Sequence, residues 1–253
     1  MVNREPRDRT GMLALAIALV AIIGLVIAVP TLLPASTRRL VGLGPHRVAA
    51  PVPVTTSGPY AFLGHQNGEP DVPVGYDPCH RIGLRINPQG APPDGVSLVR
   101  TAMAEVEKVT GLRFDYQGTT DQRPHWASAY VPTVLGRPQS TPALVSWATS
   151  GEVDQLAGDV AGIGGSVAVA DGGRVRYVTG GITLDREYFN SIDGTERGRS
   201  EELAIILHEF GHLVGLAHVH DDAELMNADN VGLRHYGPGD LEGLAKIGSI
   251  SCN

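Results

Sequence analysis

Histidine and glutamate side chains with metal-binding spacing are concentrated in one stretch near the carboxyl end of the chain. His208 and His212 are four positions apart, so on an α-helix both imidazoles project from one face and can share a metal ion. Glu209 follows the first of these histidines, where its carboxylate can reach a water on that metal without binding the metal itself. This spacing predicts a metal site with a carboxylate base beside it.

A third nitrogen ligand is available just after the predicted helix. Gly215 can end a helix in a left-handed conformation, and a turn at this position would bring His218 back towards the first two histidines. Three nitrogen ligands with one open position are typical of a catalytic zinc site, whereas a structural zinc site is closed by four protein ligands. The position of Gly215 favours His218 over the nearby His220 as this third ligand.

The surrounding residues predict the helix that must position these side chains. Ser200 is a suitable N-cap, and Glu201 and Glu202 place negative charge at the positive end of the helix dipole. Apolar residues follow with helical spacing at Leu203, Ile206, Leu207, Phe210 and Val214. We expect this apolar stripe to face the core, which leaves the histidine face to line a cleft.

The complete pattern is His-Glu-x-x-His-x-x-Gly-x-x-His, and Met226 stands eight residues past its last histidine. This pattern resembles the zinc motif of the metzincin metalloproteases and, among them, is most similar to that of the matrixins. The resemblance implies three zinc ligands, His208, His212 and His218. It also implies that Glu209 is the general base and that Met226 is the Met-turn residue beneath the metal.

The resemblance extends over approximately residues 79–248, although Val219 stands where matrixins usually have serine. It implies an α+β, metzincin-like domain: a twisted mixed sheet with an antiparallel edge strand, two long helices and a C-terminal helix. In matrixins an extended peptide substrate lies along that edge strand, which needs only unpaired backbone groups.

Residue patterns along the chain predict elements of the same kinds. Alternating or continuous apolar residues predict strands near 82–86, 112–116, 143–147, 166–170, 175–179 and 181–184. Helical spacing predicts helices near 99–109, 200–214 and 240–247, the first ended by Gly111. We interpret 118–142 and 151–165 as loops, because the first is rich in Pro and Thr and the second in Gly and Asp.

The chain before residue 76 is predicted to hold a short tail at 1–10, a transmembrane signal anchor at 11–29 and a Pro-rich stalk at 30–75. The apolar run at 11–29 carries no charge and would span about 28 Å as a helix, close to the hydrocarbon thickness. The predicted protein is therefore a single-pass protein of the cell membrane with its catalytic domain, 76–253, outside the cell. Secretion after signal cleavage is the alternative, although the run is longer than a usual signal-peptide core.

The formal net charge of −7 is unevenly distributed, because six arginines against two acidic residues give the first 47 residues a net charge of +4. The remainder, at −11, is a poor candidate for binding nucleic acid, which needs a basic face.

Cys79 and Cys252 are near the two ends of the predicted domain. A disulfide between them is favoured in an oxidising compartment; two free thiols, or Cys79 as an inhibitory zinc ligand, are the alternatives.

These features predict a zinc-dependent endopeptidase that acts on a protein or peptide substrate, contains one catalytic zinc and is a monomer attached to the membrane by its N-terminal helix. Calcium is possible at Asp154 and Asp159, but solvated loop carboxylates are the favoured interpretation and no second zinc is predicted. Two alternatives stay open: a zinc-holding binding or adhesion ectodomain without turnover, and a zinc amidase that acts on cell-wall peptides. Glu209 argues against the first, because a pure binding site needs no base next to a ligand.

Overall fold

The structure is a computed structural model that describes residues 20, 23–24, 46–126, 131–171, 173–229 and 231–252. The chain divides into two units, Met1–His46 and Arg47–Asn253. The predicted tail at 1–10 and nearly all of the predicted anchor at 11–29 lie outside the described residues. Within the described residues, no helix combines the length and the apolar character needed to cross a bilayer.

The described part of the second unit contains strands, helices and a 3-10 turn at Asp154–Leu156. The strands are β1 (Ala61–Phe62), β2 (His65–Gln66), β3 (Glu69–Pro73), β4 (Ile82–Ile86), β5 (Phe114–Thr119), β6 (Thr133–Val134), β7 (Arg137–Pro138), β8 (Ala143–Ala148), β9 (Gly162–Asp171), β10 (Arg174–Asp185) and β11 (Leu216–Ala217). The helices are α1 (Gly95–Thr110), α2 (Arg186–Ile192), α3 (Glu196–Val214) and α4 (Pro238–Ser249).

Five of the strands form a mixed sheet in the order β5-β4-β8-β10-β9. β4 is parallel to β5 and β8, and β8 is parallel to β10, whereas β9 is antiparallel to β10 and forms one edge. Parallel strands normally have both faces covered, and the central strand β8 is accordingly buried at five of its six residues. The predicted mixed sheet with an antiparallel edge strand is confirmed.

The two long helices pack on each other and hold the core against the sheet. α1 contacts α3, and α3 also contacts β9 and β10. Phe210 of α3 meets Phe114 edge to face with ring centroids 5.6 Å apart, and Trp147 of β8 meets Phe189 of α2 at 6.4 Å. Gly111 ends α1 with a φ of 74°, as predicted.

Helix α3 begins one turn earlier than the sequence predicts. The N-cap is Thr195, whose Oγ1 accepts a hydrogen bond from the Gly198 N–H at 2.8 Å. The prediction of Ser200 as the N-cap is wrong, because Thr195 offers the same kind of acceptor five residues earlier. The added first turn packs closely on α2: a Cβ at Gly198 would collide with the carbonyl of Ile192. Glu202 therefore lies in the second turn of the helix, and it is only 1% exposed.

The glycine-rich stretch before β10 is a strand for part of its length. β9 begins at Gly162, so the prediction of a loop over 151–165 is wrong for its last four residues. Glycine weakens strands in general, but every residue from Gly162 to Asp171 has a partner in β10, with one register shift between Tyr177 and Thr179 of β10. The patterns also do not predict α2, which begins after Asp185, whose carboxylate accepts from the Tyr188 N–H at 2.7 Å.

Residues 47–75 belong to the compact unit Arg47–Asn253. The sequence instead predicts a stalk over 30–75 and a domain that begins at 76. Arg47 donates hydrogen bonds to the carbonyls of Gly248 and Ile250, and β1 pairs antiparallel with β11. These contacts use backbone groups, which a proline-rich composition with few apolar residues does not reveal. The N-terminal segment thereby borders the chain that leads from Gly215 to His218, because Leu63 N–H also donates to the carbonyl of Gly215 at 2.9 Å.

Cys79 and Cys252 form a disulfide, with Cα atoms 5.6 Å apart, as predicted. Neither cysteine is free, so the two alternatives, free thiols and a zinc ligand at Cys79, are wrong for this structure. The bond joins the residues just before β4 to those that follow α4, and its two cysteines are 173 positions apart in the sequence.

Replacing both cysteines with alanine should lower the free energy of unfolding by about 2–5 kcal/mol, because a bridge across so long a loop restricts the unfolded chain. Urea unfolding of the Cys79→Ala/Cys252→Ala protein beside the wild type measures the difference. Wild-type protein treated with a reductant is the control and should unfold at the midpoint of the variant. An unchanged midpoint in the variant would contradict the prediction.

Candidate metal centre

Three imidazole rings meet at the end of α3. Nε2 of His218 lies 3.0 Å from Nε2 of His208 and 3.0 Å from Nε2 of His212. The first two histidines lie one turn apart on α3, which ends at Gly215 with a φ of 127°, and the chain returns through β11 to His218. The structure therefore brings together the three histidines that the sequence singles out, and not His220.

The hydrogen bonds of the other ring nitrogens fix the protonation of the two helical histidines. Nδ1 of His208 lies 2.7 Å from the carbonyl oxygen of Leu225, and Nδ1 of His212 lies 2.8 Å from that of Leu216. A carbonyl oxygen can only accept, so each Nδ1 carries a proton and donates it. Burial also lowers the pKa of both imidazoles to about 4, which keeps them neutral near pH 7.

A neutral ring with a proton on Nδ1 has a lone pair on Nε2, so the two helical histidines both direct lone pairs at Nε2 of His218. That nitrogen can carry one proton at most and cannot satisfy both neighbours. A cation resolves the excess of lone pairs, and zinc bound to three imidazoles at 2.0–2.1 Å in a tetrahedral arrangement would place their nitrogens about 3.3 Å apart. The three residues fit a zinc ion, and His218 is exposed, so one side of the group faces solvent.

Glu209 is a buried carboxylate beside this group. The residue is 5% exposed, and its Oε2 makes no hydrogen bond among the residues that the structure describes. Burial raises the pKa of Glu209 to about 8. An unpaired buried carboxylate is costly, so Glu209, which directly follows His208 on α3, is a group for which a nearby positive charge or hydrogen-bond donor would be stabilising.

Two glycines of β9 allow the edge strand to pass directly over Glu209. A Cβ at Gly162 would lie 3.0 Å from the side chain of Glu209, and one at Gly164 would meet its backbone carbonyl oxygen well inside van der Waals contact. Gly165 points to the other face of the sheet, where a Cβ would lie 3.7 Å from Trp126. Sequence reasoning interpreted this stretch as a loop because it is rich in glycine, and the need for glycine becomes visible only when α3 packs beneath β9.

Met226 packs against the backbone of the histidine helix α3 at Gly211. It is 1% exposed, and a Cβ at Gly211 would collide with its sulfur, so the thioether packs directly on the helix backbone next to His212. The preceding carbonyl, that of Leu225, is the one that accepts from His208. The turn at 225–226 therefore holds His208 by a hydrogen bond and packs on the helix backbone at Gly211.

Two buried carboxylates hold this turn. Asp240 Oδ2 accepts from the N–H groups of Leu225 at 2.6 Å and Gly237 at 3.0 Å. Glu224 accepts in turn from the N–H groups of Gly239 and Asp240, both at 2.8 Å, at the start of α4. Burial raises the pKa of Asp240 to about 6, against the opposing effect of these backbone hydrogen bonds. A carboxylate at the third position of a helix could have indicated Asp240, whereas no local signal indicates Glu224.

One tyrosine that supports α3 and the two candidate calcium ligands lie outside the group of histidines. The Tyr236 hydroxyl donates to the carbonyl of Leu207 at 2.5 Å, so it braces the helix just before His208. Asp154 and Asp159 belong to none of the groups of three possible metal ligands that the described residues contain.

Comparison with protein-family models gives no match, and comparison with curated proteins gives none. Among solved structures, the chain is similar to one described as "GM1 bound form of the ECX AB5 holotoxin", with 14% sequence identity and a TM-score of 0.37 over 66% of this chain and 79% of that chain. A likeness this weak carries no argument about the site, whose interpretation depends on its own geometry.

Gly164→Ala should destabilise the protein by about 1–3 kcal/mol, because the added methyl would meet a backbone atom of Glu209 that cannot move without displacing α3 from the sheet. Thermal unfolding measures the loss. Gly165→Ala is the matched control: its methyl would make an ordinary contact with Trp126, so the effect should be much smaller. Equal unfolding temperatures for the two variants would contradict this close approach.

Proposed function

We propose that this chain is a zinc-dependent endopeptidase with a metzincin-like, matrixin-like fold, in which His208, His212 and His218 hold one zinc ion and Glu209 is the general base. One observation carries the proposal. Three Nε2 atoms converge at 3.0 Å with the Nδ1 protons of the helical pair donated to carbonyls, and a buried carboxylate without a partner among the described residues follows the first ligand.

The architecture supports this proposal. The described residues contain two long helices, α1 with 16 residues and α3 with 19, a closing helix α4, and a mixed sheet with an antiparallel edge strand. The position of Met226 beneath the helix agrees with the Met-turn role that the resemblance implies. These features support the proposal, because they are the surroundings that the resemblance implies for the zinc motif.

A zinc ion bound here would supply a Lewis acid for the scissile carbonyl and would lower the pKa of a coordinated water to about 7. The carbonyls of Leu225 and Leu216 fix the orientation of His208 and His212 by accepting their Nδ1 protons. The carboxylate of Glu209 would take a proton from the attacking water and pass it to the leaving amine. A positive charge at the histidines favours the ionised form of this carboxylate, whose pKa burial otherwise raises to about 8.

The edge strand β9 supports an extended peptide as the substrate. No other strand among the described residues pairs with the side of β9 that faces away from β10. Its glycines bring the strand close to Glu209, so a peptide that pairs with β9 would run past the proposed base. The disulfide agrees with an oxidising location, and we retain the membrane anchor at 11–29 as part of the proposal.

Glu209→Gln should keep about one zinc per chain while peptide hydrolysis falls by roughly 10²–10⁴-fold, because it removes the base and leaves the ligands. Elemental analysis and a quenched peptide library measure the two quantities. Glu196→Gln, which changes an exposed glutamate of the same helix, is the control and should match the wild type. His218→Ala should lose zinc as well as activity.

Near-full turnover by Glu209→Gln would refute the catalytic role. Stoichiometric zinc without hydrolysis of any peptide by the wild type would favour the non-catalytic binding ectodomain instead. Casein and isolated cell wall, digested side by side, separate proteolysis from the amidase alternative.

A further inference from the structure

A second cluster of possible metal ligands lies where three helices meet, and it shares no residue with the histidines. Asp94 directly precedes α1, Asp193 directly follows α2, and Glu202 lies in the second turn of α3. One carboxylate oxygen from each residue lies within 4.8 Å of the corresponding oxygens of the other two. These residues are far apart in the sequence, and only the packing of the three helices brings them together.

Glu202 is the member of this cluster that most needs a partner. It is 99% buried, and its Oε1 makes no hydrogen bond among the described residues. Burial raises the pKa of Glu202 to about 7, and the charges of Asp94 and Asp193 add to the effect. A solvated helix-end glutamate would show none of these properties, and a cation beside Glu202 would favour its ionised form and give the unpaired oxygen a partner.

The neighbouring groups do not neutralise the cluster. Arg199 forms an ion pair with Asp94 and is the cationic side chain that faces Glu202. When all three carboxylates are ionised, as they would be around a bound cation, one guanidinium leaves a net charge of −2 on the cluster. The carboxylate of Asp94 is also not used as a helix cap, because it accepts no capping hydrogen bond from α1.

We propose that Asp94, Asp193 and Glu202 form a binding site for a divalent cation of the calcium type. The cluster offers only oxygen ligands, which hard cations prefer, and no nitrogen or sulfur ligand that would select zinc. Three carboxylates provide three to six of the six to eight oxygens that calcium takes, and water can complete the shell at Asp193, which is exposed. The ion would join the start of α1, the end of α2 and the helix that carries the histidines.

Calcium titration of the full-length, zinc-loaded protein tests the site. At about 10 mM calcium the unfolding temperature should rise by roughly 3–10 °C, if the affinity is that of extracellular calcium modules, about 10⁻⁴–10⁻³ M. The same concentration of magnesium should have a smaller effect, because magnesium gives up its water reluctantly.

Asp193→Asn and Glu202→Gln should each abolish this rise. Glu202→Gln should in addition unfold at a higher temperature than the wild type without calcium, because it removes a buried charge that lacks a partner. Glu196→Gln removes one charge from the exposed first turn of the same helix and should keep the full calcium response. If Glu202→Gln fails to fold, the exposed Asp193→Asn still decides the outcome.

Terbium luminescence locates the ion independently of stability. The indole of Trp147 packs on Gly95, where a Cβ would lie 3.0 Å from it, next to Asp94. Terbium in the site should therefore luminesce when tryptophan is excited, calcium should displace it, and Asp193→Asn should lose the signal at least tenfold.

No calcium-dependent rise in unfolding temperature, or the same rise and signal in Asp193→Asn as in the wild type, would overturn the site. His218→Ala should keep the calcium response, so failure of the zinc proposal is distinguishable from failure of this one.

Discussion

The arrangement of the histidine centre depends on two backbone carbonyls that lie outside the helix. The carbonyls of Leu225 and Leu216 accept the Nδ1 protons of His208 and His212 and so direct both Nε2 lone pairs to the place where His218 arrives. A four-residue spacing on a helix puts two rings on one face, but it does not fix which nitrogen points outwards. The chain that follows the helix makes that choice, which is why the turn at 225–226 and the strand β11 matter as much as the motif itself.

Several distant segments hold those two carbonyls in position. The antiparallel pair β1–β11 ties the N-terminal segment to the residues before His218, and the N–H of Val219 donates to the carbonyl of Met226 at 3.0 Å. The carboxylate of Asp240 accepts from the N–H of Leu225 in the turn, and the carboxylate of Glu224 accepts from two N–H groups at the start of α4. The centre is therefore stabilised by pairing and capping across the whole unit, and not by the helix alone.

The buried carboxylates of this protein fall into two kinds. Asp240 and Glu224 are satisfied by backbone N–H groups, so their charges serve the packing of α4 against the turn. Glu209 and Glu202, two turns apart on α3, each retain a buried oxygen with no hydrogen bond among the described residues. Glu202 belongs to the acidic cluster and Glu209 directly follows His208 of the histidine cluster, so one helix links the proposed zinc centre to the proposed calcium site.

Several features follow from local sequence: the histidine spacing, Gly111 and Gly215 as helix ends, most of the individual strands and the pairing of Cys79 with Cys252, whereas the mixed sheet was expected only from the family resemblance. These features depend on the periodicity of helices and strands, on glycine's access to positive φ, and on a cysteine count of two. The tertiary structure alone decided that 162–165 is a strand, that the unit begins at Arg47, that α3 begins at Thr195 and that Asp94, Asp193 and Glu202 meet. Those outcomes depend on how closely two backbones approach and on which distant groups satisfy a hydrogen bond, and no pattern of neighbouring residues encodes such distances.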